Sequence, residues 1–365
     1  MSENSDQIRE QIDSGAGAAG KSYFYNEAHD PGQPADLWFQ QSHEGLELFV
    51  VFYARACRWS RCLGCNLPSR MSRGQVGYKD LMRQVDALFG RFDVQGRAVD
   101  IRKLHVSNNG SVLDEETFSS TALMYLLARV NLHLPNLAVL NLETRPEYVE
   151  LAELEFISRA LKEGNTPTQL ELAIGFEAFD DRVRNEIYLK GLDLADFEQF
   201  VSRVAPYGFR VKCYFMQKPV PEMNDEEAVR DIQRGIRYLG GIARRFGAEI
   251  NFQLNPTYVA HGTLLEENFR RGAYSPPLLA DVARAAHAAR EEPLSVFIGL
   301  YDEGLAVDGG SFIRPGDRHL LDILEQFNRT QNYDLLLQVF GPESVSHGRQ
   351  TAQTIDLSTA FKNHR

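Results

Sequence analysis

The feature that most constrains the fold is a regular alternation of short Val-, Leu- and Phe-rich segments with longer amphipathic ones, repeated six times with brief connections. The first short segment, Leu46–Arg55 (LELFVVFYAR), precedes a helical stretch around Tyr78–Phe92, where Leu81, Val85 and Leu88 recur at three- and four-residue spacing. Ile101–Ser107 ends at the turn signal Asn108-Asn109-Gly110 and leads to a predicted helix over Asp114–Arg129, with Asp114 as its N-cap. Leu137–Glu143 runs into a helix opening at Pro146, a residue suited to a first helical turn. Gln169–Glu177, Phe209–Gln217 and Glu249–Thr257 are the next strands, with helices from Leu194, over Asp225–Phe246 and near Pro277–Ala289. Such units imply an α/β chain with a parallel sheet covered by helices. Folds of this kind place ligands at the C-terminal ends of the strands, and the reactive residues of this chain fall at those ends. The prediction is a partial, TIM-like (βα)6 barrel over residues 43–290. A polar, flexible lead-in (1–42) precedes it, and a C-terminal α/β extension (291–365) follows, with a strand at Leu294–Leu300 and a helix near Arg318–Asn328.

The first strand runs directly into three of the four cysteines. Cys57, Cys62 and Cys65 share one loop in the spacing C-x4-C-x2-C. A disulfide framework would spread an even number of cysteines along the chain, whereas three thiols this close indicate a metal. Three soft thiolates can hold three irons of a 4Fe–4S cubane and leave the fourth open to a small molecule. Zinc is the competing metal, in a closed site whose fourth ligand would come from His43, His105 or Cys213. Cys213, mid-strand in RVKCYFMQ, otherwise reads as a core residue.

Cys57-Arg58-Trp59-x-x-Cys62-x-x-Cys65 after a first strand resembles the radical S-adenosylmethionine (SAM) superfamily, with one extra residue in the first gap. The segments SNNGSVLD, LETRPEYV, IGFEAFDDRVRNEIYLKG, YFMQKP and NPTYVAHGTLLEENFRRGAYSPP follow in order as far as Pro277. They are similar to the branch containing the Elongator catalytic subunit, and most of all to the radical SAM subunit of archaeosine synthase. The resemblance implies a 4Fe–4S cluster on Cys57, Cys62 and Cys65, with SAM cleaved reductively to methionine and a 5′-deoxyadenosyl radical that takes a hydrogen from substrate. It implies SAM contacts from Asn109, Gly110 and Ser111 after the second strand, and from Glu143 at the end of the third. Arg145 would clamp the SAM carboxylate, and Glu177, Lys190, Gln217 and Asn255 complete the implied set. Each also has a plainer reading. Asn109–Ser111 is an ordinary turn, Glu143 and Arg145 form an ion pair beside Pro146, Lys190 is a helix C-terminal cation, and Asn255-Pro256 is a turn.

Two positions depart from the family's pattern. Gly64 stands where the family usually carries a bulky residue over the adenine, which leaves Trp59 or another side chain to cover it. Asn66-Leu67 follows Cys65 where archaeosine-type chains tend toward Gly-Tyr. An archaeosine-like reaction would cleave a carbon–nitrogen bond in a lysine adduct on a 7-deazaguanine base, the adduct made by a partner enzyme. A low-potential flavodoxin or ferredoxin would supply the electron.

The net charge of −11 opposes a general nucleic-acid binder, which needs a basic face. It suits a free nucleoside, a small metabolite or a peptide better than tRNA. One basic stretch stands out: Arg55, Arg58, Arg61, Arg70, Arg73 and Lys79 fall between Leu48 and Lys79 with no acidic residue among them. It reads either as compensation for an anionic cluster or as a mouth that meets phosphate. Tyr301-Asp302-Glu303-Gly304 reads as a lining of that mouth or as a capped turn. No apolar run is long enough to span a bilayer, and the polar N-terminus lacks a signal-peptide core, so a cytoplasmic location without membrane contact is expected. A non-catalytic, zinc-stabilised scaffold on the same barrel is the second reading.

Overall fold

The apolar segments pair edge to edge, in chain order, into one eight-stranded sheet. The computed structural model describes residues 24–302 and 304–341. Strand β1 (Asp36–Ser42) turns back as the antiparallel partner of β2 (Gly45–Val51). Gly45 makes that turn at φ 110°, which favours glycine. Then β3 (Ile101–Ser107), β4 (Val139–Thr144), β5 (Gln169–Glu177), β6 (Arg210–Gln217), β7 (Ile250–Pro256) and β8 (Leu294–Ile298) follow, each parallel to the strand before it.

Ten α-helices among the described residues complete the fold. They are α1 (Tyr78–Gly90), α2 (Phe92–Gln95), α3 (Ser120–His133), α4 (Leu151–Leu161), α5 (Leu194–Val204), α6 (Asp225–Phe246), α7 (Leu264–Arg270), α8 (Leu279–Ala286), α9 (Arg318–Thr330) and α10 (Asp334–Phe340). The longest, α6, carries both kinds of end signal. Asn224 and Glu227 form a reciprocal capping box at its start, and Gly247 closes it at φ 62°.

The sheet curls. Glu44, in the β1–β2 turn, pairs with Lys103 of β3 at 2.7 Å and with Arg210 of β6. The Trp38 ring of β1 lies 5.3 Å from Tyr301, three residues beyond β8. Helix α9 packs against both β1 and β8 and covers the gap between them. The architecture is therefore the predicted α/β partial barrel, extended by one strand at each edge.

Three differences from the predicted layout have physical causes. Residues 36–42, expected in the flexible lead-in, pair along their whole length with β2, which supplies the backbone partners an isolated segment would lack. Strand β8 pairs with β7, so the predicted boundary at 290 falls inside the sheet rather than between domains. Asp114 does not cap a helix: it accepts from Arg58 Nη1 at 3.0 Å and from Glu116 N in a turn, and α3 begins only at Ser120. Residues 1–23 of the lead-in, Glu303 and residues 342–365 of the extension lie outside the described residues.

The two faces of the sheet differ in chemistry. Leu48, Val50, Leu104, Val106, Leu140, Leu142, Val211 and Phe215 belong to one apolar core with the helices. Alternate residues point into the barrel and include Glu47, Lys103, His105, Asn141, Glu171 and Lys212, all buried. These charges answer one another. Glu171 meets Lys103 at 2.7 Å and Arg210 at 3.1 Å, and Glu47 meets His105 Nε2 at 2.8 Å. Burial pushes the Glu171 carboxyl up, but Lys103 and Arg210 overcome it and hold it at about 2. Lys212 goes the other way: burial and the nearby Lys103 lower it to about 8.

Candidate active site

The C-terminal ends of the parallel strands open into a cavity of about 910 Å³, within the range of small-molecule sites. Cys57, Cys62 and Cys65 line it, unpaired by any disulfide. Their loop is held from two sides. Ala56 N donates to Ser72 O at 2.8 Å, and Leu63 N donates to Tyr188 O at 2.8 Å. Trp59 adds a third tie through Nε1, which donates to Leu189 O at 2.8 Å.

Gly110, after β3, packs directly on this loop. A Cβ there would come within 3.2 Å of Cys57 Cα, tight enough that one of the two would have to shift. Asn109 beside it takes φ 53° and donates from its backbone N to Ser107 Oγ at 3.0 Å.

The thiols sit among cations. Burial raises the Cys62 thiol pKa, and Lys190 and Arg145 oppose it only in part, since Glu177 and Cys57 push the same way as burial. Burial disfavours the charge on Arg145, but Glu147 outweighs it, with Cys62 and Cys57 adding to the effect, so Arg145 stays charged. Lys190, part-buried beside Glu177 at 2.8 Å, is held protonated in the same way. Gly175 makes room for this pair, since a Cβ there would lie 2.3 Å from Lys190 Nζ.

This donor set fits an iron–sulfur cubane better than zinc. A single zinc ion would need its ligand atoms drawn together at bond lengths of about 2.3 Å for sulfur. A closed zinc site would also need a fourth ligand beside the three thiols. The fourth-ligand candidates are also elsewhere. His105 is buried in the barrel on Glu47, Cys213 is buried in the apolar core, and His43 sits in the β1–β2 turn at the opposite end of the strands. A cubane would put each of three thiolates on a different iron and leave the fourth iron without a protein ligand, which suits a set of three.

Of the other residues singled out from the sequence, Asn109, Gly110, Glu143, Arg145, Glu177, Lys190 and Asn255 line the cavity. Glu143 is fully engaged on one side: Tyr214 OH donates to Oε1 at 2.8 Å, and Ser107 Oγ donates to Oε2. Burial still raises its carboxyl pKa against both donors. Glu177 adopts φ 73° at an irregularity in the β5–β6 pairing, which turns its carboxylate toward Lys190.

Arg145 is differently employed from the free clamp expected of it. Nε and Nη2 donate to Glu147 Oε1 at 3.2 and 2.6 Å, Nη2 also donates to Gly191 O at 2.9 Å, and Nη1 donates to Lys190 O at 3.1 Å. Its guanidinium lies 4.7 Å from the Trp59 ring centroid. It ties the cysteine loop to the 188–191 loop.

Two expected residues do not face the cavity. Ser111 is buried with its hydroxyl 2.7 Å from Thr144 Oγ1. Gln217 lies on the helix side of β6, fully buried, and its neighbour Met216 takes the cavity wall. Gly64 also has a local reason. Leu265 Cδ1 and Tyr188 Cε2 stand 3.1 and 3.5 Å from where its Cβ would be. Tyr188, anchored by its OH on Met216 Sδ at 3.2 Å, occupies the space a bulky side chain at 64 would need.

The basic stretch is largely answered from elsewhere in the chain: Arg58 by Asp114 at 3.0 Å, Arg70 by Asp36 at 3.1 Å and Arg55 by Glu116 at 3.5 Å. Reading the sequence overlooked Ser107, Tyr188 and Gln253 on the cavity wall. The signal for Ser107 and Gln253 was the period-two pattern of β3 and β7, which places them on the inner face with the charged residues.

No family model matches the chain. Archaeosine synthase subunit beta of Methanosarcina acetivorans is 28% identical over 251 residues, covering 67% of this chain and 68% of that one. The corresponding subunit of Thermococcus kodakarensis is 23% identical over 249 residues, covering 64% and 69%. An uncharacterised protein of Methanocaldococcus jannaschii is 20% identical over 318 residues and covers 84% of each chain. Among solved structures, Methanocaldococcus infernus Elp3 aligns with a TM-score of 0.41 at 14% identity, over 60% of this chain and 51% of that one. Streptococcus suis SuiB bound to S-adenosylmethionine aligns with a TM-score of 0.43 at 13% identity, over 70% and 52%. This chain thus spans about half the length of those two solved proteins. No helix among the described residues is long and apolar enough to cross a membrane. By sequence, the chain is a distant homologue of archaeosine synthase subunit beta.

Proposed function

We propose that the chain is a radical SAM enzyme, with Cys57, Cys62 and Cys65 holding a 4Fe–4S cluster at the floor of the cavity mouth. The observation that carries this reading is the placement of the three thiols. They lie on one loop at the C-terminal end of β2, open to the cavity and flanked by Lys190 and Arg145. When bound, the cluster supplies the electron that cleaves SAM to methionine and a 5′-deoxyadenosyl radical.

The chain's own residues bind and orient. Glu143, Glu177, Asn109 and the Gly110 backbone present hydrogen-bonding groups toward the same space as the thiols, fitting the ammonium, carboxylate and ribose of SAM. Tyr214 and Ser107 aim the Glu143 carboxylate, and Lys190 aims that of Glu177. The lysine and arginine beside the loop offset the negative charge that thiolate ligands bring. The curled sheet and Tyr188 screen the reacting carbon from water.

For substrate, we favour a modified nucleobase or a related small molecule, with carbon–nitrogen cleavage of the archaeosine synthase kind. Sequence likeness to archaeosine synthase subunit beta supports that choice. A low-potential flavodoxin or ferredoxin would serve as electron donor.

The test is anaerobic reconstitution with iron and sulfide, then reduction with dithionite in the presence of SAM. The expected result is 5′-deoxyadenosine from the wild type and none from Cys62→Ala. Stoichiometric zinc with no cluster absorbance in well-reconstituted protein would instead favour the scaffold reading.

A further inference from the structure

The cysteine loop is held on its far side by four consecutive backbone carbonyls. Tyr188 O accepts from Leu63 N at 2.8 Å, and Leu189 O accepts from Trp59 Nε1 at 2.8 Å. Lys190 O and Gly191 O accept from Arg145 Nη1 and Nη2 at 3.1 and 2.9 Å, and that guanidinium lies on the Trp59 ring. Neither regular element offers such a row to one side: a strand alternates its carbonyls and a helix bonds them internally. Here the backbone turns at Leu189, φ 62°, and again at Gly191, φ 63°. A left-handed leucine persists only where its surroundings fix it.

Arg184 does that fixing. After β5 the chain winds through a π-helix, Arg182–Ile187, closed by Tyr188 N donating to Val183 O at 2.8 Å. Arg184, inside it, is fully buried, and its fork spans both ends of the segment. Nη1 donates to Ala178 O at 3.1 Å and Phe179 O at 2.8 Å before the π-helix, and Nε donates to Leu192 O at 2.7 Å after it. Nη2 reaches Asp181 Oδ1 at 2.6 Å, and the Arg184 carbonyl accepts from Lys190 N at 2.9 Å. From α6, Asp231 accepts from Phe179 N at 2.9 Å and Asp180 N at 2.7 Å. A planar fork spent on backbone carbonyls fixes the path of a chain in a way a single ammonium cannot.

We infer that Arg184 is a positioning residue for the Cys62 half of the cysteine loop, winding residues 178–192 so that the 188–191 carbonyls grip Leu63, Trp59 and Arg145. The Cys57 half has its own supports: Ala56 N on Ser72 O at 2.8 Å, and Gly110 packed against Cys57 Cα. Cys62 and Leu63 instead pack in a small apolar cluster with Tyr188 and Val220. Loosening residues 188–191 therefore frees one thiol and leaves the other in place. That Arg184 thereby places a cluster ligand rests on the radical SAM reading; the grip on the loop does not.

The experiment alkylates the cluster-free full chain with iodoacetamide under native conditions and follows Cys57 and Cys62 separately by peptide mass spectrometry. Arg184→Lys keeps the charge and loses the fork. It should speed labelling of Cys62 at least about tenfold and of Cys57 no more than about threefold, since the lost hydrogen bonds act on local opening. Asp231→Asn, which loosens the same segment from α6, should show the same selectivity at smaller amplitude. It carries the test if circular dichroism shows Arg184→Lys unfolded. After reconstitution with iron and sulfide, both variants should lose cluster absorbance to a chelator faster than wild type. Equal acceleration at the two thiols, or wild-type labelling of Cys62 in folded variants, would overturn the inference. Selective labelling with unchanged cluster loss would overturn the step from loop to cluster. Selective labelling in a chain whose wild type takes up no cluster would overturn the radical SAM reading and leave the grip standing.

Discussion

Arg145→Met separates two roles that the sequence alone merges. A free clamp on a SAM carboxylate would leave the unliganded protein's stability unchanged and lower only SAM affinity. The structure instead commits the guanidinium to Glu147 and to the carbonyls of Lys190 and Gly191, with its face on Trp59. Both members of the ion pair are buried, with side-chain exposures of 7% and 3%. Removing one partner of such a buried pair costs about 3–5 kcal/mol. In a chain of this size that lowers the melting temperature by about 4–7 °C. The assay is urea and thermal unfolding of the cluster-free protein without SAM. Replacing both residues, as Arg145→Met with Glu147→Met, should restore much of the loss, since both buried charges are then gone. Unchanged stability of the single variant, alongside weakened SAM binding, would refute the keystone role and return Arg145 to the clamp.

Three further outcomes follow from the geometry. Gly175→Ala should displace the Lys190–Glu177 pair, whose atoms stand within 2.4 Å of the new methyl; SAM affinity, read by equilibrium dialysis, should fall while unfolding shifts by less than about 1 kcal/mol. Gly64→Phe should disturb the cysteine loop rather than cover a ligand, because Tyr188 and Leu265 already fill that space, and cluster content per chain after reconstitution should drop. Glu171 is held at about 2, below its unfolded value, so its contribution to stability is present above the ordinary carboxylate range and is lost as the pH falls from about 4.5 toward 2. Glu171→Gln should therefore be less stable at pH 7 and show a flatter decline on acidification, measured by urea unfolding at pH 7 and pH 4.

The repeating strand–helix order was legible because each apolar strand is bounded by turn signals and each long helix carries its own ends, as Asn224, Glu227 and Gly247 do for α6. The three cysteines were legible because their ligand spacing is local. Strand β1 was not, because DLWFQQS has no long apolar run. It is stabilised by pairing with β2 and by the Trp38–Phe49 stack, neither of which its own residues announce. The buried charges of the barrel interior were hidden for a related reason. Glu47, Lys103, Glu171 and Arg210 look like surface residues until the curl of the sheet brings β2, β3, β5 and β6 around one axis.

The misplaced residues show what a strand-end rule can and cannot decide. Reading Gln217 as a ligand contact used its position at the end of β6, but position along a strand says nothing about face. Successive side chains alternate, so the same strand that sends Lys212, Tyr214 and Met216 inward sends Cys213, Phe215 and Gln217 outward, and a ring atom of Phe215 lies within 2.7 Å of where a Cβ on Gly235 of α6 would be. Counting back by twos from any one inward residue would have exchanged Gln217 for Met216. Arg145 fails differently: its place is right, and its donors are already taken. Whether a polar side chain near a site is available depends on partners distant in sequence, here Lys190 and Gly191 more than forty residues on.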